Sequence, residues 1–301
     1  VSTATPLRAI DSAEVTEGTV RAVKKVAADD PYMPGHFPEL TVYPGVFTLE
    51  SVQQAVAEAV GPVRLARLRS ARFLAPLLAG DSLVVEAAIE RADDGLEVRA
   101  RCADGTGRTT AKVSARYEQG SRAATDATAA TGVGDRLDSH RPRSGELRID
   151  HDAIRAILPH RHPMILLDRI EHAAPGERLE AVKAVSGCEP CYRGDQPGSE
   201  YPASLLLESF GQAAAVLWLL GATESGLPMF TAAKDVVFER PVLPGDVVRH
   251  LVRLDQVVDG AAFASGESFV GADRVAVVTS MMAVVRPALT LTNGNGRNHH
   301  E

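Results

Sequence analysis

The sequence predicts an α+β protein made of two tandem repeats, each an antiparallel sheet wrapped around one central helix. Three observations predict it. At 301 residues the chain is long for one domain and suits two of roughly 100–150 residues. Two blocks recur in order: YPGVFTLES (43–51) returns as YPASLLLES (201–209), and FLAPLLAGD (73–81) returns as FERPVLPGD (238–246). The first match, at an offset of 158, also pairs Gln54 with Gln212 and Ala55 with Ala213. Finally, each copy shows the same grammar: a β-rich lead-in, a Gly/Pro loop, one helix and a run of alternating segments.

The elements follow in order. LRAIDSAEVTEGTVRAVKKVA opens the first copy as strand. A helix is expected over Gly45–Val60, with Pro44 at its start, where a missing N–H costs nothing. DSLVVEAAIE, LEVRARCA and TTAKVSARYE alternate with period two and are joined by DDG and DGTG turns, so they read as an antiparallel meander. Residues 119–145, rich in Ala, Thr, Gly, Asp and Arg without periodicity, read as a flexible linker. The second copy repeats the plan with ERLEAVKAVSG, a helix over Ala203–Gly221 behind Pro202, and the strands DVVRHLVRLDQV, AFASGESFV and RVAVVTSMMAVV. The expected organisation is an N-terminal domain over 1–118, the linker over 119–145, a C-terminal domain over 146–288 and a disordered tail over 289–301.

Composition removes several classes. With 45% apolar and 24% charged residues the chain is neither disordered, collagen-like nor a disulfide scaffold. Aromatics are only 5%, so the cores are aliphatic. A net charge of −7 argues against a generic nucleic-acid binder. Three cysteines suit a reducing compartment. Residues 1–30 carry charges throughout and lack the apolar stretch of a signal peptide, and the apolar run 213–220 is too short to cross a bilayer. A cytoplasmic protein without membrane partners is expected.

The second helix, LLLESFGQAAAVLWLL, is apolar nearly all round and should be buried on every side. Glu208 and Gln212, one turn apart on it, are therefore conspicuous, because buried carboxylates need a partner or a task.

The run PGHFPELTVYPGVFTLESVQQ (34–54) resembles the active-site segment of the β-hydroxyacyl-[acyl-carrier-protein] dehydratases, a family with the hot-dog fold. Its Gly-His-Phe-Pro is followed by Pro-Gly and by an acid fourteen residues after the histidine, as His36 and Glu50 are. ILPHRHPMILLDRI (157–170), AVKAVSGCEPCYRGDQP and YPASLLLESFGQA resemble the same family in the second half. The resemblance spans most of residues 10–118 and 147–287 and implies a double hot-dog. The departures are informative: the second half has Gly194-Asp195-Gln196-Pro197 where the pattern has Gly-His-Phe-Pro, and Ala203 where the first half has Gly45. In this family the histidine and the acid come from different subunits of a dimer. A fused pseudo-dimer would then have one complete composite site, His36 and Gly45 with Glu208 and Gln212. A degenerate second site would join Glu50 to Asp195 and Ala203.

The resemblance implies dehydration of a 3-hydroxyacyl thioester to a trans-2-enoyl thioester in fatty acid or polyketide biosynthesis, without a cofactor beyond the carrier's phosphopantetheine. Neutral His36 would be the base, protonated Glu208 the acid, Gln212 its orienter and the Gly45 N–H the donor to the thioester carbonyl. A hot-dog thioesterase and a non-catalytic acyl-binding or partner subunit remain as alternatives. The expected partners are an acyl carrier protein and its acyl thioester, and a further homodimer is possible. Carriers are acidic, so Arg64, Arg67, Arg69 and Arg72 are candidates for docking, with a solvated strand edge as the competing reading. His160 and His162 suggest a metal, but with no third ligand nearby they are read as structural; Cys188 and Cys191 lack the second pair that zinc needs. No metal is expected.

Overall fold

The computed structural model describes residues 3–37, 40–93, 95–119, 147–194, 198–222 and 226–286. The first half contains β1 (Ser12–Thr16), β2 (Thr19–Lys25), a short α1 (Met33–His36), the long α2 (Gly45–Val60), and β3 (Val63–Phe73), β4 (Ser82–Ala92), β5 (Gly95–Asp104) and β6 (Thr109–Gln119). The second half follows with β7 (Leu147–Ile149), α3 (His151–Ile157), β8 (Arg169–Ala174), β9 (Arg178–Ala184), the long α4 (Ala203–Gly221), and β10 (Leu227–Phe238), β11 (Val247–Val258), β12 (Ala261–Val270) and β13 (Asp273–Arg286). The expected linker and tail lie outside the described residues, except that Gln119 closes β6.

Among the described residues all thirteen strands join one antiparallel sheet in the order β1-β2-β4-β5-β6-β3-β10-β13-β12-β11-β9-β8-β7. Read outward from its middle, β3-β6-β5-β4-β2-β1 on one side mirrors β10-β13-β12-β11-β9-β8 on the other, with β7 as an addition. The fold is thus the expected α+β double hot-dog. The two halves are stitched at β3 and β10, in a register that sets Leu68 opposite Val236 and Ser70 opposite Lys234. The arginine-rich run 64–72 is accordingly an interior strand, flanked by β6 and β10, and not a strand edge.

Local chemistry explains the repeated blocks. In both Gly-Asp pairs the glycine takes a positive φ, +93° at Gly80 and +97° at Gly245, a conformation that favours glycine. The aspartate then closes the turn: Asp81 accepts from the Leu78 N–H and Asp246 from the Leu243 N–H, both at 2.8 Å. The paired glutamines also do the same work twice. Gln54 bridges the lead-in segment at Leu7 and Ala9, and Gln212 bridges its counterpart at Met164 and Leu166.

The two helices differ as their sequences do. Helix α4 buries Leu205, Leu206, Leu207, Phe210, Leu217 and Trp218 around its circumference. Each such side chain contributes about 1.5–3 kcal/mol when taken from water. By length and composition α4 could cross a membrane, a point the run 213–220 understated, yet most of it is enclosed by the protein. It packs on β9, β10, β11 and β12, while α2 packs on β1 to β4; the two helices also touch one another. That helix–helix contact brings residues of the two halves together.

Candidate active site

Helix α1 is a single turn that ends on His36. It is entered through Tyr32 at φ 71°, left-handed for a non-glycine residue, and its first turn contains Pro34. Gly35 is the close-approach residue. A Cβ there would stand 2.3 Å from the Arg161 carbonyl oxygen and 2.7 Å from the Met164 nitrogen, both backbone atoms that cannot turn aside. The same approach lets the Arg161 N–H donate to the Gly35 carbonyl at 2.7 Å. The glycine of Gly-His-Phe-Pro therefore seats the first half's histidine against a loop of the second half.

His36 is buried, and its Nδ1 lies 3.0 Å from the Val42 carbonyl oxygen. A carbonyl can only accept, so Nδ1 carries the proton and Nε2 keeps its lone pair. Burial lowers the imidazole pKa to about 4 against the smaller raising effect of that carbonyl, so the ring is neutral at pH 7. Glu208 approaches from α4. Burial lifts its pKa to about 7, against the lowering effect of the Gln212 hydrogen bond. The Gln212 amide donates to Glu208 Oε1 at 3.0 Å and to the Met164 carbonyl at 2.8 Å, while its own oxygen accepts from the Leu166 N–H at 2.9 Å. With its amide satisfied on both sides, Gln212 holds the carboxyl in place.

The structure brings His36 and Glu208 together and adds a residue that the sequence reading left structural. His160 is buried between them. Its Nε2 lies 3.5 Å from Glu208 Oε1, and its ring centroid lies 5.3 Å from that of His36. One ligand-capable atom from each of His36, His160 and Glu208 falls within 4.8 Å of the others. His160, expected to have no further ligand nearby, stands beside His36 and Glu208, which are distant in sequence and adjacent in space; His162 is not part of the group. Burial and the neighbouring His36 push the His160 pKa well down, so its approach to Glu208 is a contact between neutral imidazole and acid, not an ion pair.

Gly45 opens α2 three residues beyond Val42, the carbonyl that holds His36. As a first-turn residue its N–H has no partner within the helix. A Cβ at Gly45 would meet the Phe73 ring at 3.3 Å.

The pseudo-symmetric counterpart is arranged differently. Glu50 is buried and raised to about 7 by desolvation, but its partner is the Ser204 hydroxyl, which donates to Oε1. Gln54 is spent on the lead-in and makes no bond to Glu50. Ala203 borders a pocket of about 20 Å³, scarcely more than a water needs. Asp195 lies outside the described residues.

The candidate docking arginines are mostly paired. Arg64 bonds Glu118 at 2.7 Å, Arg67 bonds Asp235 at 2.9 Å, and Arg69 bonds Glu97. Among the described residues only Arg72 of the four has no carboxylate partner, and it is exposed. Cys188 is exposed and Cys191 buried, and neither forms a disulfide among the described residues.

Comparison with known proteins agrees with this architecture. An ApeI dehydratase model matches residues 12–113, and a FabA-like domain model matches residues 158–279. The 3-hydroxyacyl-[acyl-carrier-protein] dehydratase FabZ of Symbiobacterium thermophilum is 40% identical over 134 residues, 44% of this chain and 94% of that enzyme. The FabZ of Syntrophotalea carbinolica is 35% identical over 126 residues, 41% of this chain and 86% of its own length. Among solved structures, the dehydratase domain of RzxB from Pseudomonas fluorescens superposes with a TM-score of 0.65 at 14% identity, covering 92% of this chain and 98% of that one. The dehydratase domain of a mycocerosic acid synthase-like polyketide synthase gives a TM-score of 0.64 at 18% identity, covering 95% of this chain and 98% of its own. These two structures share the fold. Fold and relatives together define a double hot-dog hydro-lyase. The chain belongs to the 3-hydroxyacyl-[acyl-carrier-protein] dehydratase family, with two family domains in tandem.

Proposed function

We propose that the protein dehydrates a 3-hydroxyacyl thioester, carried on the phosphopantetheine of an acyl carrier protein, to the trans-2-enoyl thioester in fatty acid or polyketide biosynthesis. It does so at one composite site between the halves. The carrying observation is the apposition of buried His36 and Glu208, with a ring nitrogen and a carboxylate oxygen within 4.8 Å of one another.

Each group suits its task before substrate arrives. The Nε2 lone pair of His36 takes the C2 proton, and the electron pair left behind moves into the C1–C2 bond as the carbonyl oxygen gains charge. The Gly45 N–H, at a helix N-terminus with positive potential, donates to that oxygen. Return of the electrons forms the C2–C3 double bond and breaks the C3–O bond, while Glu208 gives its proton to the departing hydroxyl. Water leaves; imidazolium and carboxylate remain and exchange their proton to reset. Gln212 positions Glu208 without touching substrate. The tightly capped Glu50–Ser204 counterpart, whose sequence has Asp195 where the first half has His36, is proposed to be inactive.

Mass spectrometry of a 3-hydroxyacyl carrier protein incubated with the enzyme tests the reading. Wild type should remove 18 Da from the acyl chain, the mass of one water (about 18) set by the reaction class. His36→Ala and Glu208→Gln should each slow this by about 10²–10⁴-fold, the usual contribution of a positioned acid or base. Release of free acid would instead identify a thioesterase. An unchanged chain would identify a binding subunit, and an undiminished His36→Ala would remove the base from the mechanism.

A further inference from the structure

We infer that His36, His160 and Glu208 also form a binding site for a divalent transition metal such as zinc, and that the bound metal inhibits dehydration. The inhibitory part rests on the catalytic reading above; binding does not.

The donor set is two imidazoles and a carboxylate, a combination that zinc accepts with a fourth position left open. Bonds of about 2.0–2.2 Å place neighbouring ligand atoms of a tetrahedral zinc roughly 3.3–3.5 Å apart. His160 Nε2 and Glu208 Oε1 already stand 3.5 Å apart, and all three ligand atoms lie within 4.8 Å of one another. Side-chain rotation can close the remaining gap.

The surrounding bonds favour ligation. The Val42 carbonyl takes the Nδ1 proton of His36, which leaves Nε2 free to coordinate, the arrangement usual behind a metal-bound histidine. Gln212 fixes the carboxylate and is itself anchored on Met164 and Leu166. His160 is 6% exposed, and its buried Nδ1 has no hydrogen-bond partner among the described residues. Its ring is therefore the one not tied down and can turn onto a metal. Imidazole ligands select zinc, cobalt, nickel or copper over magnesium and calcium. Occupation would silence the reaction by simple chemistry. A lone pair committed to the metal cannot take the C2 proton, and a metal-bound carboxylate holds no proton for the hydroxyl.

The test uses the 301-residue chain dialysed against chelator. Cobalt(II) should bind saturably at one ion per chain, with the visible absorption of a low-coordinate site, and one zinc(II) should displace it. His160→Ala should weaken binding at least tenfold, and His160→Gln, as the bulkier control for folding, should do the same with an unchanged thermal midpoint. A His299→Ala/His300→Ala variant of the same chain should bind as wild type does, which separates this site from the adjacent histidines at 299 and 300. Zinc should inhibit wild-type dehydration, chelator should restore it, and magnesium should have no effect. Absence of a saturable cobalt spectrum, or wild-type affinity in both His160 variants, would overturn the site. Binding without inhibition would overturn its consequence. The two readings fail separately: a protein that dehydrates through His36 but binds no cobalt loses only the metal, and one that binds cobalt but never dehydrates loses only the function.

Discussion

At the scale of residues, burial moves two pKa values of the proposed site in opposite directions. Burial disfavours charge, so it lowers His36 to about 4 and raises Glu208 to about 7. Unperturbed, the histidine would lie above the acid and the pair would favour ions. Inverted, the neutral base and the protonated acid coexist from about pH 4 to 7. Dehydration should therefore be lost on the alkaline side as Glu208 ionises near pH 7, and on the acid side as His36 protonates near pH 4. A pH profile of kcat/KM checks this; an alkaline limb unmoved in Glu208→Gln would show that another group sets it. His36 and Glu208 were legible because one sits in a spaced motif and the other interrupts an apolar helix. His160 was not. Its contacts with His36 and Glu208 join residues far apart in the chain, and the only local signal was an imidazole amid Leu-Pro-His-Arg-His-Pro with no surface role.

At the scale of elements, two glycines separate positioning from chemistry. Gly35 faces backbone, so Gly35→Ala must move α1 or the 161–164 loop. A shift of about 1 Å at a reacting group costs on the order of 10²-fold, and the lost packing should lower the thermal midpoint as well. Gly45 faces the Phe73 side chain at 3.3 Å, which can give by tenths of an ångström, and Ala203 already fills the equivalent place in the other half. Gly45→Ala should leave stability unchanged or slightly raised, since alanine favours helix, while obstructing the approach of the thioester to the N–H. Steady-state kinetics beside thermal melts distinguishes the two; equal loss of stability would remove the special role of Gly45. Both long helices were legible to the residue, because Tyr-Pro marks each start and the period continues to Gly61 or Gly221. The β3–β10 seam was not. Its pairing joins Arg67 to Val237 and Ala71 to Ala233, and the charges along RLARLRSAR look like a surface until Glu118, Asp235 and Glu97 are found opposite.

At the scale of the whole molecule, the two pseudo-symmetric sites make opposite predictions for the same substitution. Glu50 and Glu208 occupy equivalent helix positions and are raised alike, to about 7 from 4.5, by burial. A carboxyl raised in the folded state contributes stability that is complete below pH 4.5 and is lost as pH rises through 7. His36 and His250, lowered from 6.5 to about 4 and about 3 by burial, act in the other direction: their contribution is complete above pH 6.5 and is lost as pH falls through those values. The fold should thus be most stable on the weakly acid side of neutrality. Glu50→Gln keeps an acceptor for Ser204 but removes the ionisation. It should match wild type in urea unfolding at pH 4 and exceed it at pH 9 by up to about 3 kcal/mol. Because Glu50 faces serine and no histidine, dehydration should stay within about twofold of wild type, an effect too small to represent a lost general acid. The same change at Glu208 should relieve the same alkaline strain yet slow turnover by about 10²–10⁴-fold. Should Glu50→Gln cost half of the activity or more without loss of fold, the second site would be contributing, and the asymmetry between Gly-His-Phe-Pro and Gly-Asp-Gln-Pro would need another cause.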